Sequence, residues 1–191
     1  MAYRKSFNAL DIIRRAITEN VNEGDICIDA TAGRGNDTVL LAELAGESGT
    51  VAAFDIQQEA IDSTRQLLAE KGLAERVSLH LESHCFMDRY FEKNSVSLIT
   101  FNFGWLPGGD HRISTKKDTS IEAVGKGLEL LKKDGIMTLI LYYGRDNGYE
   151  ERDGIIEYLK TLDSMKYTVL FMPFVNRPND PPIPIIIIKD Q

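Results

Sequence analysis

Apolar residues at Leu10, Ile13 and Ile17, with Arg14 and Arg15 beside them, recur at helical spacing and predict an amphipathic helix that ends near Gly24. The pattern then changes. Asp25 to Ala30 carries the short apolar run Ile26, Cys27, Ile28, a buried strand flowing into the glycine turn Gly33-Arg34-Gly35. Asn36 or Asp37 can cap a second helix, in which Val39, Leu40 and Leu44 precede a stop at Gly46. The alternation continues with a strand at Thr50 to Asp55, a helix from about Gln58 to Lys71 closed by Gly72, and a strand at Val77 to Leu81. There Val77, Leu79 and Leu81 alternate with Ser78, His80 and Glu82, a half-polar pattern that suits a sheet edge. A short helix around Phe86 to Phe91 leads to a strand at Val96 to Asn102. A helix from about Ser120 to Lys133 ends at Gly135, and a fifth strand runs from Ile136 to Tyr142. Ile155, Ile156, Leu159 and Leu162 stripe a last helix, and Tyr167 to Pro173 and Pro184 to Lys189 form two final strands joined by a proline-rich turn.

Strands alternating with helices in this way predict an α/β fold: an open, mostly parallel sheet with helices on both faces and an antiparallel hairpin at the C-terminus. With no internal repeat, linker or low-complexity tract, residues 1–191 are expected to form a single domain. One segment stands out, since Trp105 to Asp118 is a stretch of about fourteen residues rich in Gly, Pro and charge, and structureless loops of that length are usually functional or disordered.

Charge and cysteine usage narrow the picture. The chain has 22 Lys and Arg against 29 Asp and Glu, a net charge of −7, which argues against a protein that coats nucleic acid through many phosphate contacts but leaves room for a local basic patch. The two cysteines, Cys27 and Cys85, lie far apart, unlike a zinc motif or a disulfide framework, so no metal is expected. No signal peptide and no apolar run of membrane-spanning length is present, so a soluble cytoplasmic protein that does not engage a membrane is expected.

The chemistry concentrates where ligands bind in open α/β sheets, at the C-terminal ends of the strands. The first strand runs into Asp29-Ala30-Thr31-Ala32-Gly33-Arg34-Gly35-Asn36-Asp37, where glycines allow a tight turn and close ligand approach. Twenty residues beyond Gly35, Asp55 ends the second strand, where a carboxylate can accept from both hydroxyls of a ribose. A dinucleotide fold would place a third glycine at position 38, which is Thr38. Asp29 and Asp37 also flank the turn with negative charge, which disfavours a phosphate and favours a cationic or zwitterionic ligand. S-adenosylmethionine, with a ribose, a sulfonium and an ammonium and no phosphate, fits that field better than NAD or ATP.

These features resemble a Rossmann-like class I S-adenosylmethionine-dependent methyltransferase, with Asp29 to Gly35 as its first motif and Asp55 as its ribose-binding acid. The resemblance implies a seven-stranded sheet in the order 3-2-1-4-5-7-6, with the Val77 strand at the edge. Closer similarity lies in Asp29-Ala-Thr-Ala-Gly-Arg-Gly-Asn-Asp-Thr38, Phe54-Asp-Ile-Gln57, Ser83-His84, Phe101-Asn-Phe-Gly-Trp-Leu-Pro-Gly-Gly-Asp110 and the Asn179 to Pro182 turn. Together these resemble the bacterial rRNA methylase family, whose members include the transfer-RNA wobble-uridine aminomethyl methyltransferase. That family usually has Asn or another small polar residue where Arg34 stands and Tyr or similar where Trp105 stands, so Arg34 is assigned no role. The resemblance implies methyl transfer from S-adenosylmethionine to the amino nitrogen of 5-aminomethyl-(2-thio)uridine in the anticodon stem-loop of tRNA, by a homodimer. A small-molecule N- or O-methyltransferase, an rRNA methyltransferase and a cofactor-binding module without catalysis are the alternatives, the last disfavoured by the intact Asn102 to Pro107 motif.

The residues expected around the cofactor are Asp29, Thr31, Gly33, Gly35, Asn36, Asp37, Asp55, Gln57, Ser83, His84, Asn102 and Gly104. Asn102, at the end of the fourth strand, resembles the acceptor-loop Asn of amino methyltransferases, whose amide oxygen can accept from an amine and aim its lone pair. An aminomethyl substrate is largely protonated at neutral pH, and its proton goes either to solvent before binding or to a side chain, for which Asp110, His111 and Tyr142 are the candidates. Trp105, Leu106, Pro107, Gly108, His111, Arg112 and Lys116 are expected to meet the substrate, the aromatic ring stacking on a flipped base. Arg4, Lys5, Arg14, Arg15, Lys117, Arg145 and Arg177 are further candidates for RNA contact. His80 reads as a structural edge residue, Cys27 as core, and Cys85 as packing near the adenine.

Overall fold

The structure, a computed structural model, describes residues 7–106, 108–109, 113–144 and 148–191. Its helices are α1 (Ala9–Asn20), α2 (Asn36–Ala45), α3 (Gln58–Lys71), α4 (Lys117–Leu130) and α5 (Tyr149–Lys160). Its strands are β1 (Ile26–Asp29), β2 (Thr50–Asp55), β3 (Val77–Leu81), β4 (Val96–Phe103), β5 (Leu131–Leu141), β6 (Tyr167–Phe171) and β7 (Ile183–Lys189). The strands form one sheet in the order β3-β2-β1-β4-β5-β7-β6, parallel except for β7, which is antiparallel to both β5 and β6. That is the expected class and order, with β3 at the edge. His80 stacks on Phe54 there with ring centroids 4.5 Å apart, the structural place read for it.

The period of two along each strand divides the core between the two faces. Val51, Cys27, Leu98 and Ile136 are register neighbours facing α1, α2 and α3, and pack with Ile13, Ile17 and Leu41. One position on, Ala52, Ile28, Ile99, Met137 and Ile187 form the matching row on the other face, against Val124 and Leu128 of α4 and Ile155 of α5. Asp29, two residues beyond Cys27, returns to the α1–α3 face at the end of β1, so the alternation that builds the core also buries a carboxylate beside the ligand-binding end.

Three local expectations are corrected. Helix α2 is capped by Gly35, with no side-chain cap from Asn36 or Asp37, because the turn enters the helix through a left-handed residue at φ 81° that only glycine adopts readily. Helix α4 spans Lys117–Leu130 instead of Ser120 to Lys133, and β5 begins at Leu131, with Asp134 at φ 62° absorbing an irregularity in its pairing with β4. The short helix before β4 is a 3-10 segment over His84–Arg89, capped by the Ser83 hydroxyl, which accepts from the Cys85 N–H at 3.2 Å. No helix among the described residues is long and apolar enough to cross a membrane.

Candidate active site

The first βα turn is held by its own acids. Asp29 is fully buried; its carboxylate accepts from the Thr31 N–H at 3.2 Å and from the Thr38 hydroxyl at 2.6 Å. Burial, reinforced by the charges of Asp37 and Asp55, pushes its pKa up to about 7. Asp55 accepts from the Gly33 N–H at 3.0 Å through one oxygen and from the Gln57 N–H at 2.9 Å through the other, while burial raises its pKa. Those two bonds orient the carboxylate and leave each oxygen a lone pair for further donors. The turn also needs its second glycine, since a Cβ on Gly35 would sit 3.0 Å from Thr64 Cα.

A cavity of about 310 Å³ opens beside this turn at the C-terminal ends of the strands. Thr31 and Gly33 line it from the turn, Asp55, Ile56 and Gln57 from the end of β2, and Glu82, Ser83 and His84 from the segment after β3. Asn102, Gly104, Trp105 and Leu106 line it from the end of β4, and Ile113 to Lys116 with Thr119 from the returning loop and the start of α4. Trp105 and Ser114 form an antiparallel bridge that folds this loop back over the strand ends. Three buried polar atoms of lining residues have no protein partner: His84 Nε2, Asn102 Oδ1 and Ser114 Oγ. Burial pushes the His84 pKa down to about 4, and its hydrogen bond to the Ala30 backbone occupies the other ring nitrogen, so Nε2 carries a free lone pair. Buried polar groups without partners are rare enough that three around one cavity mark a place built for a polar ligand.

Asn102 is fixed at two points. Its N–H donates to Thr31 Oγ1 at 2.7 Å and its side-chain Nδ2 donates to Asp37 Oδ2 at 2.9 Å. The next turn is fixed equally firmly. The Gly104 N–H donates to Thr115 Oγ1 at 2.8 Å, the Thr115 N–H donates to the Gly104 carbonyl at 2.9 Å, and the Thr115 hydroxyl donates to Glu151 Oε2 at 2.8 Å. Glu151, buried on α5, also accepts from the Ser120 hydroxyl at 2.6 Å, and burial raises its pKa. Gly104 sits at φ 153°, and a Cβ there would lie 2.9 Å from Tyr142 Cβ.

The expected site residues therefore separate. Thr31, Gly33, Asp55, Gln57, Ser83, His84, Asn102, Gly104, Trp105, Leu106 and Lys116 meet at the cavity. Asp29, Gly35, Asn36, Asp37, Gly108 and Tyr142 do not line it: Asp29 and Gly35 shape the turn, Asn36 is exposed on α2, and Asp37 is turned to Asn102. Pro107, Asp110, His111 and Arg112 lie outside the described residues, as do Arg4, Lys5 and Arg145. Burial and the Asp37 charge push the Tyr142 pKa up to about 12, and Tyr142 does not line the cavity. Several cations assigned to RNA are engaged within the chain. Arg14 Nε is 3.6 Å from Asp37 Oδ1, Arg15 pairs with Glu19 at 2.8 Å, Lys117 with Glu150 at 2.7 Å, and Arg177 stacks on Phe174 at 3.9 Å. Cys85, buried next to the lining residue His84, donates to the carbonyl of the lining residue Thr119 at 3.0 Å, and Cys27 is core as read.

Sequence reasoning missed Ser114, Thr115, Ser120 and Glu151. The first three stand in a polar run before and within α4 that reads as ordinary capping residues, and Glu151 follows Glu150 in what reads as a solvated helix start.

The cavity suits a nucleoside that bears a positive charge. It offers a carboxylate at Asp55, a lone pair at His84 and acidic groups behind the turn, and among the described residues no cluster of His, Cys, Asp and Glu could hold a metal ion. Comparison with known proteins agrees. Residues 51–188 match the family described as "Putative rRNA methylase". A chloroplastic tRNA (mnm(5)s(2)U34)-methyltransferase of Arabidopsis thaliana is 34% identical over 170 residues, 84% of this chain, which spans 62% of that relative's length. Among solved structures, one from Clostridium thermocellum described as a putative rRNA-methylase superposes with a TM-score of 0.94 at 44% identity, covering 97% of this chain and 100% of that one. A methyltransferase structure from Streptococcus mutans, likewise described as putative and solved in complex with S-adenosylhomocysteine (SAH), gives 0.86 at 31% identity and 99% coverage of both chains.

Proposed function

The chain belongs to this rRNA methylase family of class I S-adenosylmethionine-dependent methyltransferases, and from that membership we propose that it methylates the amino nitrogen of 5-aminomethyl-(2-thio)uridine at the wobble position of tRNA. The observation that carries the reading is the buried, unpartnered Asn102 Oδ1 on the cavity wall, an acceptor held where an amine can donate to it. The substrate is taken from the 34% identical chloroplastic relative. S-adenosylmethionine supplies, when bound, a methyl group on a positively charged sulfur open to in-line displacement.

The remaining work is positioning, and the chain's own groups supply it. Asp55 would accept from the ribose hydroxyls and the His84 lone pair would receive a donor of the purine. Asn102 Oδ1 would accept an N–H of the incoming amine and so orient it in the cavity, leaving the amine's lone pair free for the transfer. Trp105 and Leu106 give the flipped base an apolar surface. From the sequence, Asp110 and His111 remain candidates for removing the amine's proton, unless solvent takes it before binding. The anticodon stem-loop is the proposed partner, met by Lys116 together with Arg112, in a cytoplasmic homodimer.

The test is mass spectrometry of nucleosides after incubation of the purified chain with S-adenosylmethionine and undermodified tRNA or rRNA. Gain of one methyl at the wobble uridine is expected. A methyl group gained only by rRNA, or only by small amines, overturns the proposal.

A further inference from the structure

Asn102 carries two chemically opposite edges on one flat amide, and which edge meets the cavity decides whether it accepts from an amine or donates to it. Its backbone gives no choice, because the N–H is bound to Thr31 Oγ1 at 2.7 Å. The side chain is decided by what it meets outside the cavity, which is Asp37 Oδ2 at 2.9 Å from Nδ2. A carboxylate only accepts, so it selects the NH2 edge and leaves Oδ1 as the buried atom without a partner. Asp37 is held in turn. It is the second residue of α2, where the helix N-terminus favours a negative charge, and Arg14 Nε lies 3.6 Å from its other oxygen.

We propose that Asp37 is a positioning residue that locks the amide of Asn102, so that its oxygen is presented to the acceptor amine. This rests on the methyl-transfer reading above and deepens it. In the flipped orientation Asn102 Oδ1 would face the carboxylate, losing a charge-assisted hydrogen bond worth roughly a 10- to 100-fold bias in population. The groups around the lock are Arg14 from α1, Asp29 from β1 and Tyr142 after β5. Tyr142 is near enough for the Asp37 charge to raise its pKa. The flanking acceptor turn is fixed independently by the contacts of Thr115 to Gly104 and Glu151. A lock of this kind has a chemical consequence: a substrate that presents only an acceptor, such as a carbonyl or a ring nitrogen lone pair, meets the unpartnered oxygen of Asn102 and is disfavoured against one that can donate.

The test compares Asp37→Ala and the exchange variant Asp37→Asn with Asn102→Asp against the wild type. In the exchange variant the amide at position 37 donates to the carboxylate at position 102, which keeps one free acceptor oxygen. In the cofactor-free protein, the side-chain amide resonances of Asn102, identified by their absence in Asn102→Asp, are expected to shift in Asp37→Ala. At saturating S-adenosylmethionine, kcat is expected to fall about 10- to 100-fold in Asp37→Ala, beyond any change in the Kd for S-adenosylmethionine measured by calorimetry, and the exchange variant should recover most of that loss. Unshifted resonances, an unchanged kcat, a loss of cofactor affinity that accounts for the loss of turnover, or an exchange variant no better than Asp37→Ala would each overturn the lock. Failure of the wild type to methylate tRNA would instead count against the substrate reading, while the amide resonances still report on the lock.

Discussion

Replacing Asp29 with Asn should stabilise the protein above neutral pH and have little effect in acid. Asp29 is fully buried, and burial together with the Asp37 and Asp55 charges raises its pKa from the usual 3.8 to about 7. The sign follows from proton uptake. Between these two values the folded chain holds a proton on Asp29 that the unfolded chain has released, so stability declines as pH rises through this window and levels off above it. At about 1.4 kcal/mol per tenfold change in proton affinity, the decline is about 4 kcal/mol. Asn carries the hydrogen-bonding pattern of the protonated acid, its oxygen open to the Thr31 N–H and its NH2 group to Thr38 Oγ1, and it has nothing to ionise. Urea denaturation of both proteins from pH 4.5 to 8.5 should show curves that begin close together and diverge by several kcal/mol, with the variant the more stable at the alkaline end. Parallel curves, or a wild type that gains relative to the variant as pH rises, would refute the assignment of Asp29 as a buried acid held against its ionisation.

Asp55→Ala removes the carboxylate that orders Gly33 and Gln57 and faces the cavity; calorimetry should show the S-adenosylmethionine affinity reduced beyond measurement, and retained binding would dismiss Asp55 as the ribose acceptor. Glu151→Ala leaves the Thr115 and Ser120 hydroxyls without their acceptor and loosens the Gly104 turn; a stability loss of about 1 to 3 kcal/mol is expected, with kcat lowered more than cofactor affinity. Lys189→Met should cost about 2 kcal/mol in a urea titration, because the buried ammonium donates to the Leu128 and Leu131 carbonyls at the end of α4 and to Asn94, and helix C-termini favour a cation. Cys27, with its thiol pushed up to about 12 by burial, should resist alkylation in the native protein and react only after unfolding.

The sheet was legible because its signals are local. Short apolar runs separated by helical stripes specify parallel pairing, and the half-polar alternation of Val77 to Leu81 placed β3 at the edge. The boundary between α4 and β5 was misread for a physical reason. Leu130, Leu131, Lys132 and Lys133 continue an acceptable helical pattern, and what ends the helix is tertiary. A Cβ on Gly135 would lie 2.8 to 3.1 Å from the carbonyls of Lys132, Ser97 and Val96, so the chain is pressed against β4 there. At the candidate site, the glycine turn and Asp55 were legible from spacing, since each acts within its own βα unit. Thr115 and Glu151 were not, because their hydrogen bond joins residues 36 positions apart on elements that read separately as a cap and a solvated helix.

The charge of the chain takes on a different meaning once its partners are assigned. A balance of −7 suggested a surface unsuited to RNA, yet Asp29, Asp37 and Asp55 are withdrawn into the first turn, where burial and the neighbouring charges of Asp37 and Asp55 raise the Asp29 pKa to about 7. Basic residues are withdrawn as well: Arg14 is turned to Asp37 and Lys117 to Glu150, so these two further candidates for RNA contact are already answered within the chain. Lys116 differs, because it lines the cavity beside the loop that carries Trp105. On the methyl-transfer reading proposed above, an enzyme with this net charge would gain little from long-range attraction to the phosphate backbone and would select its target by what fits at the pocket mouth. A single extruded base offering an amine to Asn102 meets that requirement, and a long duplex contact does not.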